Sequence, residues 1–196
     1  MSATAPWKPG QSVDLETERF RLQSMTRLQA TLRTYPWTFD PEVMHPFGLN
    51  AGTWSRRSWY FQFRSFNNRR KFCLAITPKD QTQLIGYEQV EIRPRGVALL
   101  ATVIGDRTWW GKGVVRESRS AAIDFLFDRL GCNRVWGTPA VRNLPSVFNY
   151  RSLGFTCEGV MRQHKYDPAT WKLQDYFVFG MLRDEWLARR KQQEDA

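Results

Sequence analysis

Apolar and polar residues alternate along several short segments of the chain, and in other segments the apolar residues recur at helical spacing. A short alternating or apolar run predicts a strand, whereas apolar residues three or four positions apart predict an amphipathic helix. By this pattern, strands are predicted at 19–25, 72–77, 84–92, 97–105, 134–138, 155–163 and 175–182. Helices are predicted at 27–35, 52–66, 114–130 and 144–153, and in the polar tail from 183 onward.

Capping residues agree with these boundaries. Thr26 and Asn143 can each cap the helix that follows, and Gly131 and Gly154 stand where helices should end. The segment 97–105 is almost wholly apolar, so it is expected to be a central strand buried on both faces. The order of elements predicts an α+β fold, in which a central, mixed, mostly antiparallel twisted sheet carries helices on both faces.

Length and composition narrow the class of protein. The 196 residues suit one domain, expected at 15–186 between a lead-in at 1–14 and a polar tail at 187–196. No apolar run reaches the length of a membrane span, and the first residues lack the features of a secretion signal, so we expect a cytoplasmic protein without a membrane partner. Three widely spaced cysteines are expected to be free thiols.

Charge points to the kind of ligand. The net charge is +10, from 29 basic and 19 acidic residues. Such an excess favours an anionic ligand, an acidic substrate or a nucleic acid, and charge alone does not choose among them.

Two glycines flank Lys112 in the segment WWGKGVVRE, which lies between the apolar strand and a predicted helix. Glycine supplies the positive φ of a tight turn, and it also leaves the N–H groups at a helix N-terminus open to an anion. The spacing matches neither the P-loop nor the dinucleotide-binding pattern, so those two classes of enzyme are disfavoured. The plain turn and the phosphate site both remain open at this point.

A second candidate segment follows in NLPSVFNYRSLGF. Asn143, Ser146 and Tyr150 stand three and seven positions apart and therefore share one helix face. A tyrosine is protonated at neutral pH and can return a proton to a departing thiolate. The alternative is that Tyr150 is a half-buried aromatic residue whose hydroxyl has a structural partner.

The chain resembles the GNAT superfamily of acetyl-coenzyme A-dependent N-acyltransferases, and most closely its ribosomal-protein N-acetyltransferase branch. The likeness lies in the order and spacing of LETERFRLQSMT, TFDPEV, LIGYEQV, VIGDRTWWGKGVVRE, NLPSVFNYRSLGFTCEGVMR and DYFVFGMLRDEW. It implies a single GNAT-type domain in which an amine attacks acetyl-coenzyme A directly within a ternary complex, without a metal. The implied partners are a small-molecule or peptide amine, with a nucleic acid and a homodimer left open.

The resemblance also implies roles for individual residues. The pyrophosphate loop falls on Trp110, Gly111, Lys112, Gly113, Val114 and Val115, although Trp110 and Val115 differ from the commonest residues there. Val103 and Ile104 match positions whose backbone pairs with pantetheine and polarises the thioester carbonyl. Asn143 and Ser146 match coenzyme contacts. Tyr150 matches the general acid, with Ser146 as the substitute proton donor.

The general base is missing from its usual place. Many relatives have a glutamate at the position of Leu99, and leucine cannot accept a proton. Glu88, on the neighbouring strand, is the predicted substitute base, acting through water, and the alternative is that Glu88 is a solvated strand residue. The missing glutamate also leaves open a non-catalytic acyl-coenzyme A- or RNA-binding module of the same fold.

The segment between Val43 and Lys79 has no acidic residue and interleaves arginines with aromatic residues. In proteins that the chain resembles, this segment walls the acceptor site. Arg56, Arg57 and Trp59 are therefore predicted to bind the acceptor, and their chemistry suits an anionic one. The alternative is that the aromatic residues belong to the core and the arginines form a solvated helix face.

Overall fold

One eight-stranded sheet forms the centre of the molecule in a computed structural model that describes residues 7–194. The strands are β1 (Asp14–Glu16), β2 (Phe20–Ser24), β3 (Lys71–Pro78), β4 (Gly86–Arg93), β5 (Val97–Ile104), β6 (Arg134–Gly137), β7 (Thr156–Tyr166) and β8 (Leu173–Leu182). Their order across the sheet is β1-β2-β3-β4-β5-β6-β8-β7. All neighbours are antiparallel except β5 and β6, which are parallel, and the predicted mixed, mostly antiparallel sheet is confirmed.

Six α-helices accompany the sheet within the described residues. They are α1 (Arg27–Thr34), α2 (Pro41–Met44), α3 (Arg56–Gln62), α4 (Val114–Asp124), α5 (Leu144–Ser152) and α6 (Arg183–Glu194). The predicted caps are present: Thr26 forms a capping box with Gln29, and the side chain of Asn143 accepts a hydrogen bond from the backbone of Ser146. No described helix is long and apolar enough to cross a membrane.

The sheet separates two hydrophobic cores, and strand β3 shows why. Successive side chains of a strand point to opposite faces. Leu74 and Ile76 join the core beneath α4 and α5, whereas Cys73 and Ala75 join the core beneath α1 and α3. Both faces of β3 are therefore buried, and the helices lie on both sides of the sheet as the sequence predicts.

Four local features differ from the sequence prediction. Strand β1 pairs with β2 at the sheet edge, where no strand is predicted. A single helical turn, α2, which Asp40 caps, lies where no helix is predicted. Helix α3 ends at Gln62, earlier than the predicted 66, and α4 runs on into a π-helical turn, Phe125–Arg129.

Strand β5 is central, but its expected burial on both faces is wrong. Ala98 and Leu100 are buried, whereas Leu99 and Ala101 between them are only half-buried. The half-buried residues line a cavity on the α3 side of the sheet. An apolar run cannot distinguish a covered strand face from one that borders a cavity, because both favour apolar side chains.

Candidate active site

A gap in the sheet opens beside strand β5. The strand pairs with β6 only from Val97 to Leu99, and the two strands separate beyond that point. The N–H of Gly105 bonds to the carbonyl of Ile85, 3.0 Å away, on the β4 side. Because backbone groups alternate along a strand, Thr102 and Ile104 point their peptide groups to the open edge.

The same alternation corrects the expectation for Val103. Its peptide groups point toward Tyr87, its partner on β4, so they are not available at the open edge. The carbonyls of Leu100 and Ile104, on the other side, accept hydrogen bonds from Tyr150 and from the indole of Trp110. Val103 still lines the cavity described below, but only Ile104 of the two predicted residues directs its backbone to the gap.

The glycine segment forms a tight loop at the start of α4. Gly111 and Gly113 have φ angles of 73° and 75°, which lie in the left-handed region that glycine tolerates best. A β-carbon on Gly111 would meet nothing within 4 Å, and both glycines line the large cavity. The turn reading is therefore confirmed, and the loop also leaves open space in front of the first N–H groups of α4.

Contacts behind the loop hold it in place. The carboxylate of Glu117, in the first turn of α4, accepts hydrogen bonds from the Thr17 hydroxyl at 2.6 Å and from the Arg19 N–H at 2.8 Å. The guanidinium of Arg19 bonds to Glu117 and also to the carbonyl of Lys112. Burial raises the pKa of Glu117, but these hydrogen bonds together lower it below its usual value. The loop is thus braced from the side away from the cavity.

The cavity between the loop, β5 and α5 has a volume of about 620 Å³. This is within the usual range for small-molecule sites. Its lining residues are Glu42, Val43, Pro46, Phe47, Thr102, Val103, Ile104, Trp109, Trp110, Gly111, Gly113, Val114, Val115, Arg116, Arg119, Asn143, Pro145, Ser146, Phe148, Asn149 and Ser152. Of the predicted coenzyme-binding residues, only Lys112 is absent from this wall, and its ammonium lies 5.5 Å from the ring centre of Trp109.

Asn143 and Ser146 both lie at the cavity, at the start of α5. The side-chain oxygen of Asn143 accepts a hydrogen bond from the Ser146 N–H at 3.2 Å, and its amide nitrogen donates to the carbonyl of Pro46 at 3.4 Å. Asn143 therefore joins α5 to the segment after α2. Ser146 is half-buried and keeps its hydroxyl on the cavity side of the helix.

Tyr150 lies in the core, one layer behind the cavity wall. Its side chain is buried, its ring stacks on Phe179 at 5.2 Å, and its hydroxyl donates to the carbonyl of Leu100 at 3.1 Å. Burial raises the pKa of this phenol. The structure does not bring Tyr150 to the cavity, so the expected general acid is corrected to a residue whose hydroxyl has a structural partner.

Glu88 is also not where the sequence analysis expected it. Its side chain is fully buried on the α4 face, opposite Thr102, whose hydroxyl donates to it at 2.6 Å. Burial raises the pKa of the Glu88 carboxyl, while Arg119 and Thr102 lower it. Both expectations for Glu88 are corrected: it is not a solvated strand residue, and its buried carboxyl on the α4 face is not placed to act as a base through water.

A second cavity of about 330 Å³ lies on the α3 side of the sheet. It is lined by Phe47, Leu49, Trp59, Gln62, Phe63, Ser65, Phe66, Lys71, Tyr87, Gln89, Val90, Glu91, Leu99 and Ala101. Phe47 lines both cavities, and along β5 the second cavity ends at Ala101 where the first begins at Thr102. The two cavities are therefore neighbours.

The predicted acceptor residues separate into two groups. Trp59 lines the second cavity, but it is buried and its indole N–H donates to the Thr34 hydroxyl at 2.9 Å. Arg56 and Arg57 are exposed on α3 and line neither cavity. The aromatic residues Trp59, Phe63 and Phe72 belong to the core, as the alternative reading held.

Sequence reasoning missed Thr102 and Arg119, which both line the large cavity. A signal was present: Thr102 is a polar residue in the apolar run of β5, and Arg119 follows Ser118 on the buried face of α4. A polar residue at a buried position usually has a partner or a ligand. Glu91, the cross-strand partner of Leu99, was also missed.

Comparisons with known proteins show what the chain is similar to. Residues 19–156 match the family model described as an acetyltransferase (GNAT) domain. The chain is 27% identical over 178 residues to an uncharacterized N-acetyltransferase, p20, of Bacillus licheniformis, a match that covers 88% of this chain and 97% of the relative.

Two solved structures show the same fold. A spermidine N-acetyltransferase from Vibrio cholerae, in complex with CoA and spermine, is 19% identical with a TM-score of 0.76, covering 86% of this chain and 98% of the other. A ribosomal-protein-S5-alanine acetyltransferase from Vibrio fischeri is 19% identical with a TM-score of 0.65, covering 89% and 98%.

Proposed function

The chain belongs to the GNAT acetyltransferase family, and we propose that it transfers the acetyl group of acetyl-coenzyme A, bound along the open edge of β5, to a small-molecule primary amine in the second cavity. Membership makes it an N-acetyltransferase that uses acetyl-coenzyme A. The finer statements, on mechanism and acceptor, are the proposal. They depend on one observation above all: the open edge of β5 and the start of α4 border the same cavity.

The donor end of this cavity has the chemistry that a diphosphate requires. The first N–H groups of α4 have no partner inside the helix, and the helix dipole adds about half a positive charge there. The ammonium of Lys112 lies over the ring of Trp109 beside the loop, whereas the nearby Arg107 is already paired with Glu42. Gly111 leaves space for phosphate oxygens to approach the backbone. We therefore assign the coenzyme's diphosphate to this loop.

The open edge of β5 would bind the acyl-pantetheine arm. Backbone N–H groups of Thr102 and Ile104 face the cavity and can donate to carbonyl oxygens there. Donation to the thioester carbonyl stabilises the negative charge that develops on its oxygen during attack. The amine nitrogen then forms the new C–N bond, the C–S bond breaks, the nitrogen loses a proton, and the thiolate gains one.

We assign the general base to Glu91. It is the cross-strand partner of Leu99, lines the second cavity beside it, and its side chain is 36% exposed. Its carboxylate is 3.1 Å from the ammonium of Lys71, which holds it at the cavity wall. Glu91 can therefore accept a proton through water, a role that the buried Glu88 cannot fill from the opposite face.

The thiolate's proton donor is then Ser146 or water that it holds. Ser146 lines the large cavity, whereas the Tyr150 hydroxyl is committed to the Leu100 carbonyl. A serine hydroxyl can relay a proton from solvent to sulfur without carrying a charge itself.

The acceptor is proposed to be a small amine, because the second cavity is about half the size of the first and core aromatic residues form part of its wall. The Vibrio cholerae structure of the same fold contains spermine, a small polyamine, which supports this class. A protein N-terminus, as in the ribosomal-protein branch, is the second candidate, and the motif order shared with that branch favours it.

The test is thiol release from acetyl-coenzyme A with a library of amines, followed by detection of a 42-Da mass gain on the consumed amine, the mass of an acetyl group replacing hydrogen. We expect release that depends on an amine of the library. Coenzyme binding without release for any small amine or N-terminal peptide would favour the non-catalytic module, and absence of coenzyme binding would contradict the proposal altogether.

A further inference from the structure

A buried polar cluster lies beneath the coenzyme cavity, and the catalytic proposal does not use it. It consists of Glu88 on β4, Thr102 on β5 and Arg119 on α4. The side chains of Arg119 and Glu88 are 3% and 0% exposed. The Thr102 hydroxyl donates to Glu88 at 2.6 Å and accepts from Nη2 of Arg119 at 2.7 Å. The cluster thus ties α4 to the two central strands.

The guanidinium of Arg119 is incompletely satisfied. Its Nε lies 3.7 Å from Oε1 of Glu88, which is too long for a hydrogen bond. Within residues 7–194, neither Nε nor Nη1 of Arg119 has a hydrogen-bond partner, and neither does Oε1 of Glu88. An unsatisfied buried donor is costly, and for a charged group the cost is larger. Such donors therefore favour any acceptor that enters the space beside them.

The coenzyme cavity lies beside this cluster, because Arg119 and Thr102 are both among its lining residues. Arg119 stands five residues after the start of α4, which places it roughly 8 Å along the helix from the N–H groups assigned to the diphosphate. An acceptor near Arg119 would belong to the part of the coenzyme that lies beyond the diphosphate.

The charge balance of the cluster selects the kind of acceptor. Glu88 is the acidic group that faces Arg119, and the ring of Tyr150 covers the guanidinium at 4.4 Å. The positive charge is already balanced, so the unpaired N–H groups suit a neutral carbonyl oxygen better than a further anion. The pantetheine arm of coenzyme A carries two such amide carbonyls.

We propose that Arg119 binds a carbonyl oxygen of the coenzyme's pantetheine arm, and that Glu88 and Thr102 hold its guanidinium in position. This inference rests on the proposed coenzyme site. It gives Glu88 a positioning role, whereas the sequence analysis expected it to be the base.

The test compares two ligands that differ in the pantetheine arm. Coenzyme A contains it, whereas 3′,5′-ADP has only the nucleotide end. We expect Arg119→Met to weaken coenzyme A binding about tenfold in calorimetry and to leave 3′,5′-ADP binding unchanged. Thr102→Val should also weaken coenzyme A binding and leave 3′,5′-ADP binding unchanged, but by a smaller factor. It removes the hydrogen bond that positions the Arg119 guanidinium and keeps the guanidinium itself.

The matched control is Arg129→Met. Arg129 follows on the same helical segment, also covers an aromatic ring and also has a buried Nε without a partner among the described residues, but it does not line the cavity. The Arg129→Met protein should bind both coenzyme A and 3′,5′-ADP with the wild-type affinity. If Arg119→Met does not fold, as judged by thermal unfolding, Arg119→Lys supplies the comparison, since it keeps the charge and loses the second donor.

Three results would overturn the inference. Equal losses for both ligands would mean that Arg119 only supports the loop. Unchanged binding of both would mean that water satisfies the guanidinium. If the wild-type protein binds neither ligand, the proposed function is overturned as well. This last result therefore separates a failure of the proposed coenzyme site from a failure of the role of Arg119.

Discussion

The two cavities that meet at Phe47 are built in different ways. The larger cavity, to which we assign the coenzyme, presents backbone groups among its side chains, from an open strand edge, a left-handed loop and two helix N-termini. The second cavity is lined by aromatic, aliphatic and polar residues of α3, of the segments that flank it, and of β4 and β5. Every residue except proline has the same backbone groups, so a site made of backbone keeps its binding properties when side chains are replaced. A site made of side chains changes its specificity with each substitution.

In our proposal, the first cavity binds the donor and the second cavity selects the acceptor. Backbone N–H groups bind phosphate and carbonyl oxygens that every acyl-coenzyme A shares, so the first cavity fits the common donor. The second cavity has one carboxylate, Glu91, and one ammonium, Lys71, among aromatic, aliphatic and neutral polar residues. Substitutions there should affect the acceptor and the proton transfer, whereas substitutions in the loop should affect the donor.

The largest expected effect is on the acceptor side. Glu91→Gln should lower kcat about 100-fold, because general base catalysis typically contributes that much or more. Coenzyme affinity should not change. The measurement is steady-state kinetics with calorimetry, and Glu16→Gln, which removes an exposed carboxylate on β1, is the control. If the Glu91→Gln enzyme keeps the wild-type kcat, Glu91 is not the general base and bulk water accepts the proton that the amine loses.

On the donor side, Gly113→Asp should weaken coenzyme binding by about tenfold or more. The substitution strains a residue at φ 75° and adds a negative charge where the helix dipole favours an anion. Calorimetry with coenzyme A measures it. Gly131→Asp is the matched control, since Gly131 also has a left-handed φ, of 64°, but lies at the far end of the helical segment. Equal affinity in the two variants would contradict the loop assignment.

Tyr150 lies behind the donor cavity. Its replacement shows whether this residue stabilises the core or takes part in catalysis. Tyr150→Phe should lower the free energy of unfolding by about 1 to 2 kcal/mol, because the Leu100 carbonyl loses its buried donor. The expected kcat is unchanged. Denaturant unfolding and kinetics check both, with the exposed Tyr166→Phe as the control. A fall in kcat with stability intact would restore Tyr150 as the general acid.

The smallest effect is expected on the exposed rim of the acceptor side. Arg56→Glu combined with Arg57→Glu should raise the acceptor KM at most about fivefold, because exposed charges contribute at most about 1 kcal/mol. The salt dependence of KM should be equally weak. A much larger rise would show that the acceptor is anionic and reaches these arginines.

The backbone conformation of the loop and the start of the helices could be predicted from the sequence, because these features are local. Glycines with positive φ, capping side chains and the order of strand, loop and helix all depend on neighbours in the chain. Sequence could not show that β5 and β6 separate after Leu99, since strand pairing depends on residues that lie far apart in the chain.

The acceptor side depended on register and burial, which the sequence does not specify. Whether Glu88 or Glu91 faces Leu99 depends on how β4 pairs with β5, and a shift of one residue exchanges the faces. The turn between these strands includes Arg95 at φ 66°, a conformation that its residue type does not suggest. Likewise, the aromatic residues in and after α3 indicated that this segment packs against the sheet. They did not show which of the side chains the core would bury.

The most direct test of the central claim, that the backbone of β5 and the α4 loop binds the donor, is hydrogen exchange with and without acetyl-coenzyme A. The expected result is slower exchange at the backbone N–H groups of Thr102, Ile104 and residues 111–116. Peptides covering α3 and residues 71–78 should exchange as they do in the free protein. Protection confined to the α3 side, with the loop and β5 unaffected, would contradict the account.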